Sequence, residues 1–273
     1  MRLTGHYSRD RAAATIDVMT ETIERTALEV LHIGGPTVRF RYGGSTWLTD
    51  PTFDEPGDYP GPVTLHKLTG PAVPVDEVGP VDVVLLSHDQ HADNLDTAGR
   101  ALLATVDTVL STAEAATRMK DVHGLRNWES FEVGAVTVTA VPALHGPEGC
   151  EPLSGTVTGF VLEATGEPTV YVSGDNASVD VVAEIAERFE RIDIALLNVG
   201  AANVGRFGDS DLTLNARTAV RAAELLGAAV IVPVHAEGWA HFTETLDHLA
   251  RAFGYAGLAD RLRVPVIGEV IAV

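Results

Sequence analysis

The chain has 273 residues, of which 45% are hydrophobic, and a formal net charge of −19, a composition that fits a soluble globular protein of one large domain or two small ones. The one-sided negative charge argues against broad binding to nucleic acid or to an anionic membrane, because both need a basic face. Cys150 is the only cysteine, so no intrachain disulfide can form; with an N-terminus that lacks the apolar stretch of a secretory signal and no run long enough to span a membrane, the expected location is the cytoplasm.

Residues 1–26 carry little core pattern and are expected to form a helical or frayed extension to a single domain, 27–273. Strand-like runs follow at 29–33, 37–42 and 46–49, the last two joined across Gly43 and Gly44, which can take the positive φ of a hairpin turn. Residues 51–80, rich in Pro, Gly and Asp, are predicted to be a long loop with little regular structure, and such loops inside a domain are often functional. A buried strand at 81–86 runs into "SHDQHADN", followed by a helix over 95–104. Further strands are predicted at 106–110, 136–141, 159–162 and 170–172. Apolar spacing in "ASVDVVAEIAERFE" predicts a helix, then come a strand at 192–197 and a Gly/Asn/Asp-rich loop, 198–211. A helix over 213–226 stops at Gly227, a strand covers 229–234, a helix covers 242–253, and "VPVIGEVIAV" closes the chain as a strand. Hairpin strands first and alternating strands and helices later predict a layered α/β sandwich.

Four strand ends share a format, an apolar run and then a metal-capable side chain. They are "VVLLSHDQHAD" (His88, Asp89, His91, Asp93), "VTAVPALHG" (His145), "VYVSGDNA" (Asp175) and "VIVPVHAEGW" (His235). Each has a plainer explanation taken alone. His145 reads as a surface or capping residue, Asp175 as a helix N-cap, His235 as an interior imidazole, and Asp93 with Asn94 as caps for the helix at Leu95. Their conjunction favours a metal, since His plus carboxylate is the donor set that suits Zn²⁺ and also Fe or Mn.

The order of these segments, with "EVLHIGGPTVRFRYGGSTWLTDP" before them and "VPVHAEGWAHF" after, resembles the metallo-β-lactamase superfamily, and in style its ascorbate-6-phosphate lactonase-like branch. The resemblance runs from residue 29 to near the C-terminus. It implies a four-layer αββα sandwich with metals in the cleft at the sheet edges. It also implies ligands from a His-x-His-x-Asp-His signature, a later His, a bridging Asp and a final His: His91, Asp93, His145, Asp175 and His235 in this chain. The signature itself is altered. Anchoring on His91 and Asp93 puts Asp89 in the first histidine's place and Asn94 in the last; alternatively Gln90 is an insertion and His88 is the first ligand, which keeps a neutral imidazole there. Asn94 leaves the second metal to Asp93, Asp175 and His235, unless His241 or Asp50 joins them. The expectation is one firm Zn²⁺ site and a second whose occupancy the sequence leaves open.

Such a site predicts metal-assisted hydrolysis of a small-molecule lactone, ester or phosphoester, with Asp93 orienting the attacking water and shuttling its proton. The rivals are a phosphodiesterase or phospholipase-type hydrolase and a non-catalytic metal-binding protein. His66, Lys67 and Arg206 can meet an anionic group of the substrate or can be solvated loop charges, and Trp239 and His241 can line the pocket. "DLTLNA" at 211–216 lacks the further histidine common in the lactonase-like branch, and oligomeric state leaves no mark on the sequence.

Overall fold

A computed structural model describes Met1, residues 27–227 and residues 229–273. The extension expected at 1–26 therefore lies, apart from Met1, outside the described residues.

The chain opens with an antiparallel meander of β1 (Glu29–Gly34), β2 (Thr37–Tyr42) and β3 (Ser45–Thr49). Its second turn uses Gly43 and Gly44 at φ +56° and +83°, as the hairpin reading requires. The segment expected to lack regular structure contains a small hairpin, β4 (Gly57–Tyr59) with β5 (Leu65–Lys67). Then come β6 (Val83–Leu85), α1 (Thr97–Leu103), β7 (Thr108–Thr112), α2 (Ala115–Arg118), β8 (His123–Leu125) and β9 (Ser130–Val133). The second half holds β10 (Val136–Ala143), α3 (Glu151–Ser154), β11 (Val157–Glu163), β12 (Val170–Val172), α4 (Val179–Arg188), β13 (Ile194–Asn198), α5 (Ala216–Leu225), β14 (Val230–Val234), α6 (Leu246–Tyr255) and β15 (Val270–Ala272).

Side-chain caps set where the helices begin. Asp96, Ser178, Asn215 and Thr245 each accept a backbone N–H from the first turn that follows. Two helices expected at 213 and 242 therefore start later, just past Asn215 and Thr245. The closing strand is also shorter than expected, because Pro265 has no N–H to give and Gly268 turns the chain at φ +82°.

One sheet has the order β15-β1-β2-β3-β6-β7-β8 and the other β14-β13-β12-β11-β10-β9. Phe40, Trp47, Val83 and Leu110 of the first pack against Val138, Phe160, Leu196 and Val232 of the second. On the outer side of the second sheet, Val161, Tyr171 and Ile231 receive Ile185, Ala219 and Phe253 from the helices. Leu48 and Val84 on the outer face of the first are covered by Phe53 and Leu95, with Leu102 of α1 packed on them. The architecture is the four-layer αββα sandwich.

Position of the site follows from strand direction. β3, β6, β7 and β8 run parallel, as do β12, β13 and β14, and ligand sites gather where the carboxyl ends of parallel strands meet a loop. The two sheets are pinned together there. Thr158 N donates to Ser87 O at 3.1 Å. Gly174, at φ +57°, sits so close that a Cβ would lie 2.6 Å from Thr158 O and 2.9 Å from Ser87 Cβ.

Candidate metal centre

His88, His91 and His145 come together at this edge. His88 Nε2 lies 3.0 Å from His91 Nδ1, which lies 3.2 Å from His145 Nε2. Four nitrogens around a tetrahedral zinc at its usual bond length stand about 3.3 Å apart, so the spacing fits one shared cation. Neighbours fix which nitrogen faces inward. His145 Nδ1 donates to Leu212 O at 2.8 Å, which leaves Nε2 as a lone-pair donor, and Ser87 Oγ holds His88 Nδ1 at 2.9 Å. Burial, and then the neighbouring imidazoles, push the pKa of both His88 and His91 below the ordinary histidine value. Both rings are therefore neutral, which is the ligating form.

Asp89 does not enter. Its carboxylate accepts Arg118 Nε at 2.9 Å and Nη2 at 2.5 Å, and it is His88 that stands beside His91 and His145, the arrangement expected where Gln90 is an insertion.

A second group forms from Asp93, His235 and His241. Asp93 Oδ2 is 3.0 Å from His241 Nε2 and 3.5 Å from His235 Nε2. Asp175 lies between the groups, with Oδ1 3.5 Å from His235 Nε2 and Oδ2 3.7 Å from His145 Nε2. Asn198 Nδ2 donates to Asp175 Oδ1 at 2.7 Å and orients it. Asn94, where the signature calls for histidine, instead donates Nδ2 to Asp50 Oδ2 at 3.3 Å. His241 was foreseen only as one of two residues able to stand in, and the signal for it was its place six residues beyond His235. The other, Asp50, accepts Ser87 N at 2.6 Å. Burial pushes its pKa up to about 7 against that hydrogen bond.

His235 is held in the left-handed region at φ +56°, directly after β14, a backbone state that costs a non-glycine residue about 1 kcal/mol or more. Burial would lower its pKa, but the Asp175 and Asp93 carboxylates outweigh burial and raise it to about 10. Burial likewise opposes ionisation of the two aspartates, yet His235 with His241 holds Asp93, and His235 with His145 holds Asp175, below the usual carboxylate range. Asp93 Oδ1, Asp175 Oδ2 and His235 Nε2 are buried without a hydrogen-bond partner. Buried polar atoms of this kind are costly unless something pairs with them, and a cation between the groups does so. The residues present fit a dinuclear divalent metal.

His66 and Lys67 lie elsewhere. His66 Nδ1 pairs with Asp58 Oδ1 at 2.6 Å, and Lys67 Nζ makes a buried ion pair with Asp96 Oδ2 at 2.9 Å. Asp96, rather than Asp93 or Asn94, caps α1. Trp239 is buried and packs against Tyr59, the rings tilted by 46° with centroids 5.3 Å apart. Arg206 lines the cavity over the histidines. No helix among the described residues is long and apolar enough to cross a membrane.

Comparison with known proteins identifies the family. Residues 46–236 match the model of a β-lactamase superfamily domain. A metal-dependent hydrolase of the UPF0173 family from Methanosphaerula palustris is 31% identical over 180 residues, covering 63% of this chain and 75% of the relative. Another UPF0173 metal-dependent hydrolase, from Pyrococcus horikoshii, is 27% identical over 179 residues, covering 64% of this chain and 75% of its own. Among solved structures, an isothiocyanate hydrolase from Delia radicum gut bacteria superposes with a TM-score of 0.79 at 23% identity, over 90% of this chain and 99% of that one. The metallo hydrolase Igni18 of the archaeon Ignicoccus hospitalis gives 0.69 at 18% identity, over 91% and 99%. These two likenesses speak to the fold. The chain belongs to the metallo-β-lactamase superfamily and is one of its metal-dependent hydrolases.

Proposed function

We propose that this hydrolase cleaves a small-molecule lactone or ester with zinc as its metal; His88, His91 and His145 would hold one ion and Asp93, His235 and His241 a second, with Asp175 lying between the two groups. The observation that carries the reading is the set of ring nitrogens and unpartnered carboxylate oxygens converging on one buried edge. A divalent cation there supplies Lewis acidity and brings the pKa of water toward neutrality. The chain's own residues do the rest. Asp93 would hold the second ion through one carboxylate oxygen, and the oxygen left free accepts a hydrogen bond from the attacking water, orients it and takes its proton. His241 Nε2, beside Asp93 Oδ2 at the cavity floor, would help hold the second ion next to the reacting carbonyl, where that ion would supply the charge that meets the developing oxyanion. Asn198 and Leu212 keep Asp175 and His145 aimed inward, so little reorganisation accompanies the reaction. A lactonase-like activity and a cytoplasmic setting, where the lone buried Cys150 stays reduced, belong to the same proposal.

The test is metal content alongside turnover of a panel of lactones, esters and phosphodiesters by the zinc-reconstituted protein. About two zinc ions per chain and hydrolysis of lactones or esters are expected. His145→Ala and Asp175→Ala should each lower bound zinc and reduce kcat/KM by a factor on the order of 100 or more. Full metal and full turnover in either variant refutes that ligand assignment. Stoichiometric metal without turnover favours a binding protein, and turnover of bis(p-nitrophenyl) phosphate alone favours a phosphodiesterase.

A further inference from the structure

The cavity above the metal centre has a volume of about 310 Å³, and its floor includes His91, Asp93, His145 and His241. Its walls are apolar. Pro62, Val63 and Leu65 come from the β4–β5 hairpin, Leu153 from α3, and Val204 and Phe207 from the loop before α5. Leu153 is 53% exposed, an arrangement that costs solvation in the free protein and is offset when an apolar group covers it.

Charge in the walls is the second observation. Apart from the histidines of the floor, Arg206 is the one basic side chain in the lining among the described residues, and Glu151 stands in the same wall. Arg206 Nη1 is already committed to Leu153 O at 2.9 Å. The other two basic residues of the neighbouring hairpin are turned to Asp58 and Asp96. A phosphate or carboxylate remote from the scissile bond would enter a mainly apolar wall whose one cation, Arg206, is tethered to Leu153 O and is matched by the Glu151 carboxylate. Desolvating such a group without a partner costs several kcal/mol.

We infer that the substituent filling this cavity is uncharged and apolar, an alkyl or aryl group on the scissile carbonyl compound, and that phosphorylated substrates are excluded by the walls. The inference rests on the hydrolase reading and deepens it by naming the substrate class. Gln90, the inserted residue, is exposed at the rim, where its amide lies against Gly155 so closely that a Cβ there would meet Nε2 at 2.7 Å. It is a neutral polar side chain of the lining, matched to a neutral polar group.

Two series test this on the full chain. The first is hydrolysis by the zinc-reconstituted protein of methyl esters from butanoate to octanoate, followed by pH-stat. The second is calorimetric titration of the metal-free protein with the corresponding primary amides and with alkyl phosphates of the same lengths. Burial of each added methylene should raise kcat/KM, and tighten amide binding, by about threefold until the cavity is full, while alkyl phosphates bind more weakly than the matching amides. Phe207→Ser and Val204→Ser should flatten both series and leave zinc stoichiometry unchanged. A flat ester series, or alkyl phosphates that outbind the amides, overturns the inference. Esters cleaved with no dependence on length would sink it and leave the hydrolase reading standing. Amide affinities that climb while no ester is cleaved would do the reverse.

Discussion

Asn94 Nδ2 donates to Asp50 Oδ2, and the imidazole that closes the second cluster arrives from His241, on the segment after β14. In the proposed ligand set this exchange moves one donor from the signature loop of the first sheet to a segment anchored on the second. It resolves the difficulty posed by an amide where an imidazole was expected, since an amide oxygen is a poor ligand beside imidazole. His241→Ala should reduce zinc from about two ions per chain to about one, and lower kcat/KM by a factor on the order of 100, with His88, His91 and His145 still occupied. Adding Asn94→His to that variant should recover part of the second ion. Elemental analysis after dialysis reads both outcomes, and a His241→Ala protein that retains two ions removes His241 from the ligand set. Asp89's pairing with Arg118, which favours His88 as the proposed first ligand, belongs to the same scale. Arg118 lies 29 residues from Asp89 in sequence, so no local pattern could show that its guanidinium takes the aspartate out of contention.

The β4–β5 hairpin shows how an element shapes the site without supplying a ligand. Leu68 N donates to Gly238 O at 2.7 Å and Ala240 N to His66 O at 3.0 Å, so the hairpin edge pairs with the backbone just ahead of His241. Lys67 secures it twice, through the buried pair with Asp96 and through its ammonium 5.5 Å over the Trp239 ring. Lys67→Met keeps the apolar stem but leaves Asp96 buried without its cation, which should cost roughly 3 kcal/mol. The second zinc should also be lost at lower chelator concentration than in the parent protein. A melting temperature and chelator titration both equal to the parent's would refute that coupling. This hairpin was invisible in the sequence for a physical reason. "GDY" and "LHK" are too short and too polar to show strand alternation, and distant partners hold them in place. By contrast β2 and β12 were legible to the residue: β2 sets buried Val38, Phe40 and Tyr42 against Arg39 and exposed Arg41, and β12 is a short apolar run buried throughout. The ligand-bearing strand ends were legible too, as residue types; their convergence, and the tautomers set by Leu212 and Ser87, belong to tertiary structure alone.

At the scale of the whole molecule, the proposed ligands come from both sheets, so a bound metal joins the halves of the sandwich and its removal is felt globally. A ligand held about a thousandfold above its dissociation constant adds roughly 4 kcal/mol, worth on the order of 10 °C in a chain of this size. The size of the effect should depend on pH. In the metal-free protein His235 has its pKa raised to about 10 by Asp175 and Asp93. The stability from that pairing is complete below pH ~6.5, the unfolded value, and is lost as pH rises toward about 10. Asp93 and Asp175, with pKa values lowered, contribute above pH ~3.9 and lose their contribution as pH falls. With zinc present His235 is neutral in the folded state as it is in the unfolded one at high pH, so the loss on the alkaline side disappears. The difference in unfolding free energy between zinc-loaded and chelator-stripped protein should therefore widen from pH 6.5 to pH 9 by an amount on the order of 3 kcal/mol, and the gap in melting temperature should widen with it. Zinc affinity should tighten by about tenfold per pH unit over the same interval, as one proton leaves for each ion bound at His235. Parallel melting curves across that range, with a constant gap, would show that His235 carries no extra proton in the metal-free fold.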